Sequence, residues 1–335
     1  MHGFVHWTAD SLESLRRMLA AAKTLKSRRD RLPAEVLRGR VMGMVFFNPS
    51  LRTRTSFEAL MARLGGHAIC LNVGGDTWAL EHRDGVVMDG AAAEHIREAA
   101  PVLSRYCDVL GVRTFAGLKD AAEDAKDAVI RSFARYATVP VINMESAMEH
   151  PCQGLADRMT IEEKLGDARG KRFVLTWAPH IKALPMAVPH SAVLAAASAG
   201  MHVTVAHPPG YELNADVVAA ARRWCTEAGA SFEITSEQRS ACRAADVVYV
   251  KSWGSAVLYG KTDEQAASFR AHRDWTVGVR HFGKSEAILM HCLPVRRNVV
   301  ITDEALDSAH RVVVDQAENR MWAQMAVVMR MMDCA

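Results

Sequence analysis

Ser50, Arg52, Thr53 and Arg54 fall within five residues, directly after the apolar run Val41 to Phe47. That run is short and rich in strand formers. Phe57, Leu60, Met61 and Leu64 then recur at helical spacing until Gly65-Gly66. The hydroxyls and guanidiniums therefore sit where a buried strand hands over to a helix. The amides of a helix N-terminus point into such a gap, and the helix dipole favours an anion there. Two hydroxyls and two guanidiniums add donors at the same place, so the stretch reads as a phosphate cradle. It lacks the glycines and the Gly-Lys-Ser/Thr ending of a P-loop, and no Gly-x-Gly-x-x-Gly follows a strand. Nucleotide and dinucleotide chemistry is therefore not indicated.

Two further groups stand where elements meet. Arg113 closes the apolar run Cys107 to Val112, and open α/β sheets bind ligands at the carboxyl ends of their strands. His150-Pro151-Cys152-Gln153-Gly154-Leu155-Ala156-Asp157 opens a helix, with Pro151 suited to its first turn. His150 and Gln153 then lie at the helix start, where both can aim at one small polar ligand.

The elements that must position these groups are read from periodicity. Thr8 is placed to cap a helix carrying Leu12, Leu15, Met18 and Leu19. Strands are expected at 67–71, 139–144, 173–177, 202–206, 246–250, 288–292 and 312–315. Helices are expected at 94–106, 191–199, 215–228 and 318–332, with Pro101 kinking the first of these or marking its true start. Residues 72–78 are too polar and glycine-rich for an element and read as a flexible loop ending in Trp78. Met321, Met325, Met329 and Met332 form a stripe most simply explained as core. Strands alternating with helices imply an α/β protein with two doubly wound parallel-sheet domains. The expected division is 1–150 with the C-terminal helix 318–335, and 151–317.

Bulk properties narrow the partners. The 335 residues suit two domains, and a net charge of +3 is too small and scattered for a nucleic-acid or membrane partner. Seven cysteines without a Cys-x-x-Cys pair argue against a disulfide framework or zinc site and for a reducing cytoplasm. No run approaches the length of a membrane span, and the N-terminus does not read as a signal peptide. Nothing calls for a metal or an organic cofactor.

Ser50-Leu51-Arg52-Thr53-Arg54 resembles the carbamoyl-phosphate loop of the transcarbamylases, the aspartate and ornithine carbamoyltransferase family, whose usual run is Ser-Thr-Arg-Thr-Arg. Leu51 departs from it. The His150 to Asp157 stretch resembles the family's His-Pro-x-Gln-x-Leu-Ala-Asp, and His291-Cys292-Leu293-Pro294 its His-Cys-Leu-Pro. The resemblance spans essentially the whole chain and implies the carbamoyltransferase fold and a homotrimer with sites shared between subunits. It implies carbamoyl-phosphate contacts from Ser50, Leu51, Arg52, Thr53, Trp78, Arg113, His150, Gln153, Cys292, Leu293 and Arg320. Of these, Arg52, Thr53, Arg113 and His150 would carry the catalysis.

The acceptor half departs from the ordinary members. Val250-Lys251-Ser252-Trp253 stands where ornithine carbamoyltransferases carry Ser-Met-Gly, and the Arg-x-Gln of aspartate carbamoyltransferases is absent from this region. The chain instead resembles the acetylornithine and succinylornithine branch, which implies N-acylornithine as second substrate and a place in arginine biosynthesis. Glu145, His180, Lys251, Leu293 and Arg296 are the acceptor candidates, Lys251 and Arg296 being cations suited to carboxylates. In that branch acetylornithine enzymes carry a glutamate before Glu-His, where this chain has Ala93 before Glu94-His95, and a lysine where it has Val300. The resemblance therefore points to a succinyl acceptor, with acetylornithine the alternative. An ordinary ornithine carbamoyltransferase and a carbamoyltransferase-like binding protein without turnover are the remaining readings.

Overall fold

The computed structural model describes residues 3–334. They divide into two compact units, Met1–Ala116 with Lys126–Cys152 and Arg320–Ala335, and Gly117–Ala125 with Gln153–Asn319. Residues 117–125 thus go with the second unit, a crossing not expected from the sequence.

In chain order the strands are β1 (Val41–Phe46), β2 (His67–Asn72), β3 (Ala79–Glu81), β4 (Ala92–His95), β5 (Val109–Arg113), β6 (Val141–Glu145), β7 (Arg172–Trp177), β8 (His202–Ala206), β9 (Phe232–Thr235), β10 (Val247–Lys251) and β11 (Ile288–Met290). The helices are α1 (Leu12–Ser27), α2 (Leu51–Arg63), α3 (Ile96–Tyr106), α4 (Ala121–Ala125), α5 (Ala128–Tyr136), α6 (Pro151–Leu165), α7 (Ala187–Ser198), α8 (Ala215–Glu227), α9 (Gln238–Ala244), α10 (Thr262–Ala271), α11 (Asp303–Leu306) and α12 (Val313–Met331).

The first unit holds a parallel sheet in the order β2-β1-β5-β6. β1 and β5 are the central strands. Nearly every residue in them is buried, as continuous apolar runs require when both faces are covered. The chain reverses direction across the sheet between β1 and β5, so the crevice at their carboxyl ends is the topological switch point. Leu64 caps the end of α2, and Gly65 at φ +80° turns the chain. A Cβ there would lie 2.5 Å from the Ala34 carbonyl, so only glycine fits.

The second unit holds a parallel sheet in the order β11-β10-β7-β8-β9, whose switch point lies between β7 and β10. Every residue of α7 is buried, which explains its run of alanines: a helix covered all round needs small side chains where neighbours approach. At the end of β7, Trp177 packs on Tyr211 at 4.6 Å and stacks on Phe269 at 5.7 Å between ring centroids. Such pairs add about 0.5–1.5 kcal/mol beyond burial. Gln238 Nε2 donates to Thr176 Oγ1 and to the carbonyls of Trp177 and Trp275, so the buried strand end keeps its polar atoms satisfied.

Several local expectations are corrected. Ser11, not Thr8, caps α1, its Oγ accepting the Ser14 amide at 3.1 Å, while Thr8 lies in a 3₁₀ turn, Trp7–Ala9. α3 begins at Ile96 and runs through Pro101; the Arg97 carbonyl that loses its partner belongs to an exposed residue. Residues 312–315 are no strand. β-branched Val312, Val313 and Val314 favour one, but Val313 opens α12 and tertiary packing overrides the preference. Of the expected methionine stripe Met325 and Met332 are buried, but Met321 and Met329 are only half-buried, and Trp322, Val327 and Val328 complete the core face. Residues 72–77 form a closed turn: Asp76 accepts both the amide and the side-chain nitrogen of Asn72 at 2.6 Å.

Candidate active site

In the first unit the loop after β1 leads straight into α2. Ser50 is the N-cap in extended conformation, its Oγ accepting the Thr53 amide at 3.2 Å. Leu51, Arg52 and Thr53 are therefore the first three helical residues, whose amides face the switch point. Leu51 is 78% exposed, so its side chain points out of the cradle and only its amide can serve there. Arg54 leaves the cradle: its Nε donates to Glu58 Oε1 at 2.9 Å along the helix.

Arg113 ends β5, 7% exposed, and Arg320 comes from α12, 5% exposed. Both guanidiniums donate to Thr53 Oγ1, Arg113 Nη1 at 3.3 Å. A hydroxyl has two lone pairs and one proton. With both lone pairs facing guanidiniums, the Thr53 proton is directed to whatever ligand lies before it. Arg113 also packs over the Phe115 ring at 4.5 Å and pairs with Glu145 Oε2 at 2.5 Å. Glu145 reaches it through a bulge: Val112 pairs with Asn143 but Arg113 with Glu145, leaving Met144 as the extra residue.

His150 is 1% exposed, its Nε2 3.8 Å from Glu145 Oε2. Burial first, then Arg320, Arg113 and Arg52, hold its pKa well below the ordinary 6.5. The imidazole is therefore neutral, a hydrogen-bonding group and not a charge. Three guanidiniums and the Glu145 carboxylate thus bear on it. Guanidiniums grouped at a helix N-terminus suit an anion such as a phosphate.

In the second unit Lys251 ends β10 beside the end of β7, 8% exposed. Its carbonyl accepts the Ala178 amide at 3.1 Å, and Ser252 Oγ donates to the Pro179 carbonyl at 3.1 Å, so the two strand ends are tied together. His180 follows. Its Nδ1 bonds the Lys182 carbonyl at 2.9 Å and its Nε2 accepts from Arg296 Nε at 3.2 Å, which fixes a neutral tautomer. Burial, with Lys251 and Arg296 nearby, lowers its pKa to about 4. Lys251, Arg296 and His180 thus make a cationic group suited to a carboxylate.

Gln153 lies in the first turn of α6, its Nε2 donating to Asp157 Oδ1 at 2.7 Å. The same oxygen accepts from Gln316 Nε2 at 2.7 Å, and Gln316 Oε1 accepts the His291 amide at 2.9 Å. Cys292 and Leu293 follow, with the Leu293 amide donating to His291 Nδ1 at 2.9 Å and a cis Leu293-Pro294 bond. Asp157 and Gln316 therefore set the Gln153 amide and the Cys292-Leu293 backbone. The sequence reading missed Gln316; its only signal was a polar residue two before the Glu318-Asn319-Arg320 run.

Residues 3–163 match the carbamoyl-P binding domain of the aspartate/ornithine carbamoyltransferases and residues 186–331 their Asp/Orn binding domain. The chain belongs to the aspartate/ornithine carbamoyltransferase family. N-acetylornithine carbamoyltransferase of Xanthomonas campestris is 42% identical over 96% of this carbamoyltransferase and 94% of its own length. N-succinylornithine carbamoyltransferase of Bacteroides fragilis is 38% identical over 94% of each chain. A solved N-acetyl-L-ornithine transcarbamylase with one glutamate replaced by alanine, complexed with carbamyl phosphate and N-succinyl-L-norvaline, superposes with a TM-score of 0.95. It is 40% identical and covers 99% of this chain and 100% of its own.

Arg52→Ala and Arg113→Ala are expected to lower kcat by about two to three powers of ten with the fold retained, the scale of losing one charge-stabilising donor. Steady-state rates and circular dichroism check this, and near-normal turnover in either variant would remove the phosphate cradle.

The state of His150 sets a pH dependence. The unfolded imidazole protonates near 6.5 and the folded one well below it, so His150 makes the fold less stable as pH falls below 6.5. The kcat profile from about pH 6 to 8 should carry no ionisation removed by His150→Gln, while that variant loses about a hundredfold in rate. An acid limb present in the native enzyme and absent from the variant would contradict a neutral His150.

Proposed function

We propose that this enzyme transfers the carbamoyl group of carbamoyl phosphate to the δ-amine of N-succinyl-L-ornithine, giving N-succinyl-L-citrulline and phosphate in arginine biosynthesis. The observation that carries the first half is the meeting of the Arg113 and Arg320 guanidiniums on Thr53 Oγ1 at the N-terminus of α2. In this reading the Ser50, Leu51 and Thr53 amides or hydroxyls and Arg52 clamp the phosphate, with Arg320 and a neighbouring subunit's copy of Trp78 completing the grip. Thr53, Arg113 and neutral His150 donate to the carbonyl oxygen as it gains charge. Gln153 and the Cys292 and Leu293 carbonyls hold the carbamoyl NH2. An alkyl amine has a pKa of about 10, so the amine enters as its neutral minority, attacks the carbonyl carbon and passes its proton to the departing phosphate.

His180, Lys251, Leu293 and Arg296 would hold the acceptor, with Glu145 orienting Arg113 and bearing on the incoming amine. Ala93 supports succinyl over acetyl. It is exposed on β4 and presents neither charge nor bulk to a second carboxylate, where a glutamate would repel one at a cost of about several kcal/mol. Glu94 cannot readily stand in for that glutamate. Glu94 pairs with Leu80 in the β3–β4 ladder while Ala93 is the extra residue of a bulge, and Glu94 Oε2 already accepts Trp78 Nε1 at 2.7 Å. The transcarbamylase whose glutamate is changed to alanine holds a succinyl compound, which agrees with this reading. Val300, 2% exposed, leaves no charge where acetyl enzymes carry lysine.

The test is kcat/KM for N-succinyl-, N-acetyl- and free ornithine. The native chain should prefer the succinyl compound, and Ala93→Glu should lose that preference by about tenfold or more. A native preference for the acetyl compound would overturn the acyl assignment and leave the family intact.

The assembly is proposed to be a homotrimer with shared sites, acting in the cytoplasm. Leu51, Ile69, Trp78, Val87 and Met88 of the first unit are exposed apolar residues, Trp78 by 59% although its ring nitrogen is bound to Glu94. Trp78→Ala and Arg113→Ala chains, each poor alone, should regain activity when mixed and allowed to exchange, because some sites then draw both native residues from different chains. No recovery after proven exchange would refute sharing.

A further inference from the structure

The segment Phe4 to Trp7 runs beside β6. The Phe4 amide donates to the Val141 carbonyl, and the Asn143 amide to the Phe4 carbonyl, each at 2.9 Å. This places His6 between two buried carboxylates. His6 Nδ1 is 3.7 Å from Glu149 Oε1 and its Nε2 is 3.8 Å from Asp127 Oδ2. Asp127 is 3% exposed and Glu149 4%. His6 Nε2 has no hydrogen-bond partner among the described residues, so the Asp127 carboxylate is what it faces.

Both carboxylates hold one loop. Asp127 Oδ2 accepts from Ser146 Oγ at 2.6 Å and Oδ1 from the Ala147 amide at 3.0 Å. To do so it stands at φ +49° before α5 and makes no capping bond, a left-handed conformation that a side chain resists. Ser146 Oγ also receives Asn143 Nδ2 at 3.0 Å and the Glu149 amide at 3.2 Å, and the Ser146 amide donates to the Glu149 carbonyl at 2.8 Å. Glu149 Oε2 accepts the Trp7 amide at 2.5 Å. The loop so closed, 146–149, has Glu145 at one end and His150 at the other. Burial raises the Asp127 pKa and the Glu149 charge adds to it, while Ser146 and His6 oppose them.

We propose that His6 is a positioning residue: it stands between Asp127 and Glu149 and thereby fixes loop 146–149, whose ends carry Glu145 and His150. The proposal rests on the reading of Glu145 and His150 as site residues. Without the imidazole, two buried carboxylates share the space beside a loop that carries site residues. Asp127, from the turn before α5, and Glu149, from the loop itself, are the titratable groups within ion-pair reach of His6.

Native and His6→Gln proteins are to be compared by amide exchange at Ser146 and Glu149 and by initial rates with carbamoyl phosphate and N-acylornithine. His6→Gln should exchange those amides about tenfold faster and lose about tenfold in kcat, with KM for carbamoyl phosphate within about twofold, because the phosphate is gripped from α2. The double variant His6→Gln/Glu149→Gln should return to within about threefold of native kcat, since one of the two buried carboxylates that His6 separates is then gone. A folded His6→Gln with native exchange and native kcat overturns the proposal, as does a double variant whose losses simply add. If His6→Gln does not fold, His6→Lys, which places a cation between the two carboxylates, should show native exchange; faster exchange there overturns it too. A native chain that carbamoylates no ornithine defeats the functional reading instead, and the exchange comparison alone then decides the role of His6.

Discussion

The first unit is built around positive charge taken out of water. Arg113 and Arg320 are nearly fully buried, with Arg52 they bear on His150, and Glu145 pairs with Arg113. Burying guanidiniums is costly unless each is held by hydrogen bonds and an anion is supplied. The local architecture follows from that constraint. A strand end supplies Arg113, a helix N-terminus supplies amides, Thr53 bridges two guanidiniums, and a bulge turns Glu145 toward one of them.

The second unit answers a milder problem, the placing of single cations and a carboxamide on rigid supports. Lys251 sits at a switch point whose two strand ends are locked to each other, and His180, held neutral, accepts from Arg296 and adds no second positive charge beside it. Asp157 orients two carboxamides with one oxygen. Such second-layer contacts keep binding groups near one geometry without adding charge to the site.

What was legible in the sequence was local. Ser50 as N-cap, the amides after it, Arg113 at a strand end and Pro151 opening a helix all follow from neighbours a few residues apart. What was hidden depends on distance. Arg320 reaches Thr53 across 267 residues, and Gln316 reaches Asp157 across 159. Arg54 looked like part of the cradle because its type and spacing fit, but α2 rotates it onto Glu58. The strands β3, β4 and β9 are short and only partly buried, so no alternation marks them. At residues 312–315 three valines spoke for a strand, and packing decided for a helix.

The bulge at Met144 has a consequence for how this stretch can change. Side chains alternate along a strand, so each residue added or removed reverses the facing of everything beyond it. Here the count is set so that Glu145, and not Met144, stands opposite Arg113. Loss of one residue would bring a thioether to the guanidinium and turn the carboxylate away. The end of β6 is therefore open to exchange of one side chain for another but closed to any change in its number of residues. Among descendants of this chain, drift there should proceed by substitution alone, while length variation collects in loops that carry no such parity.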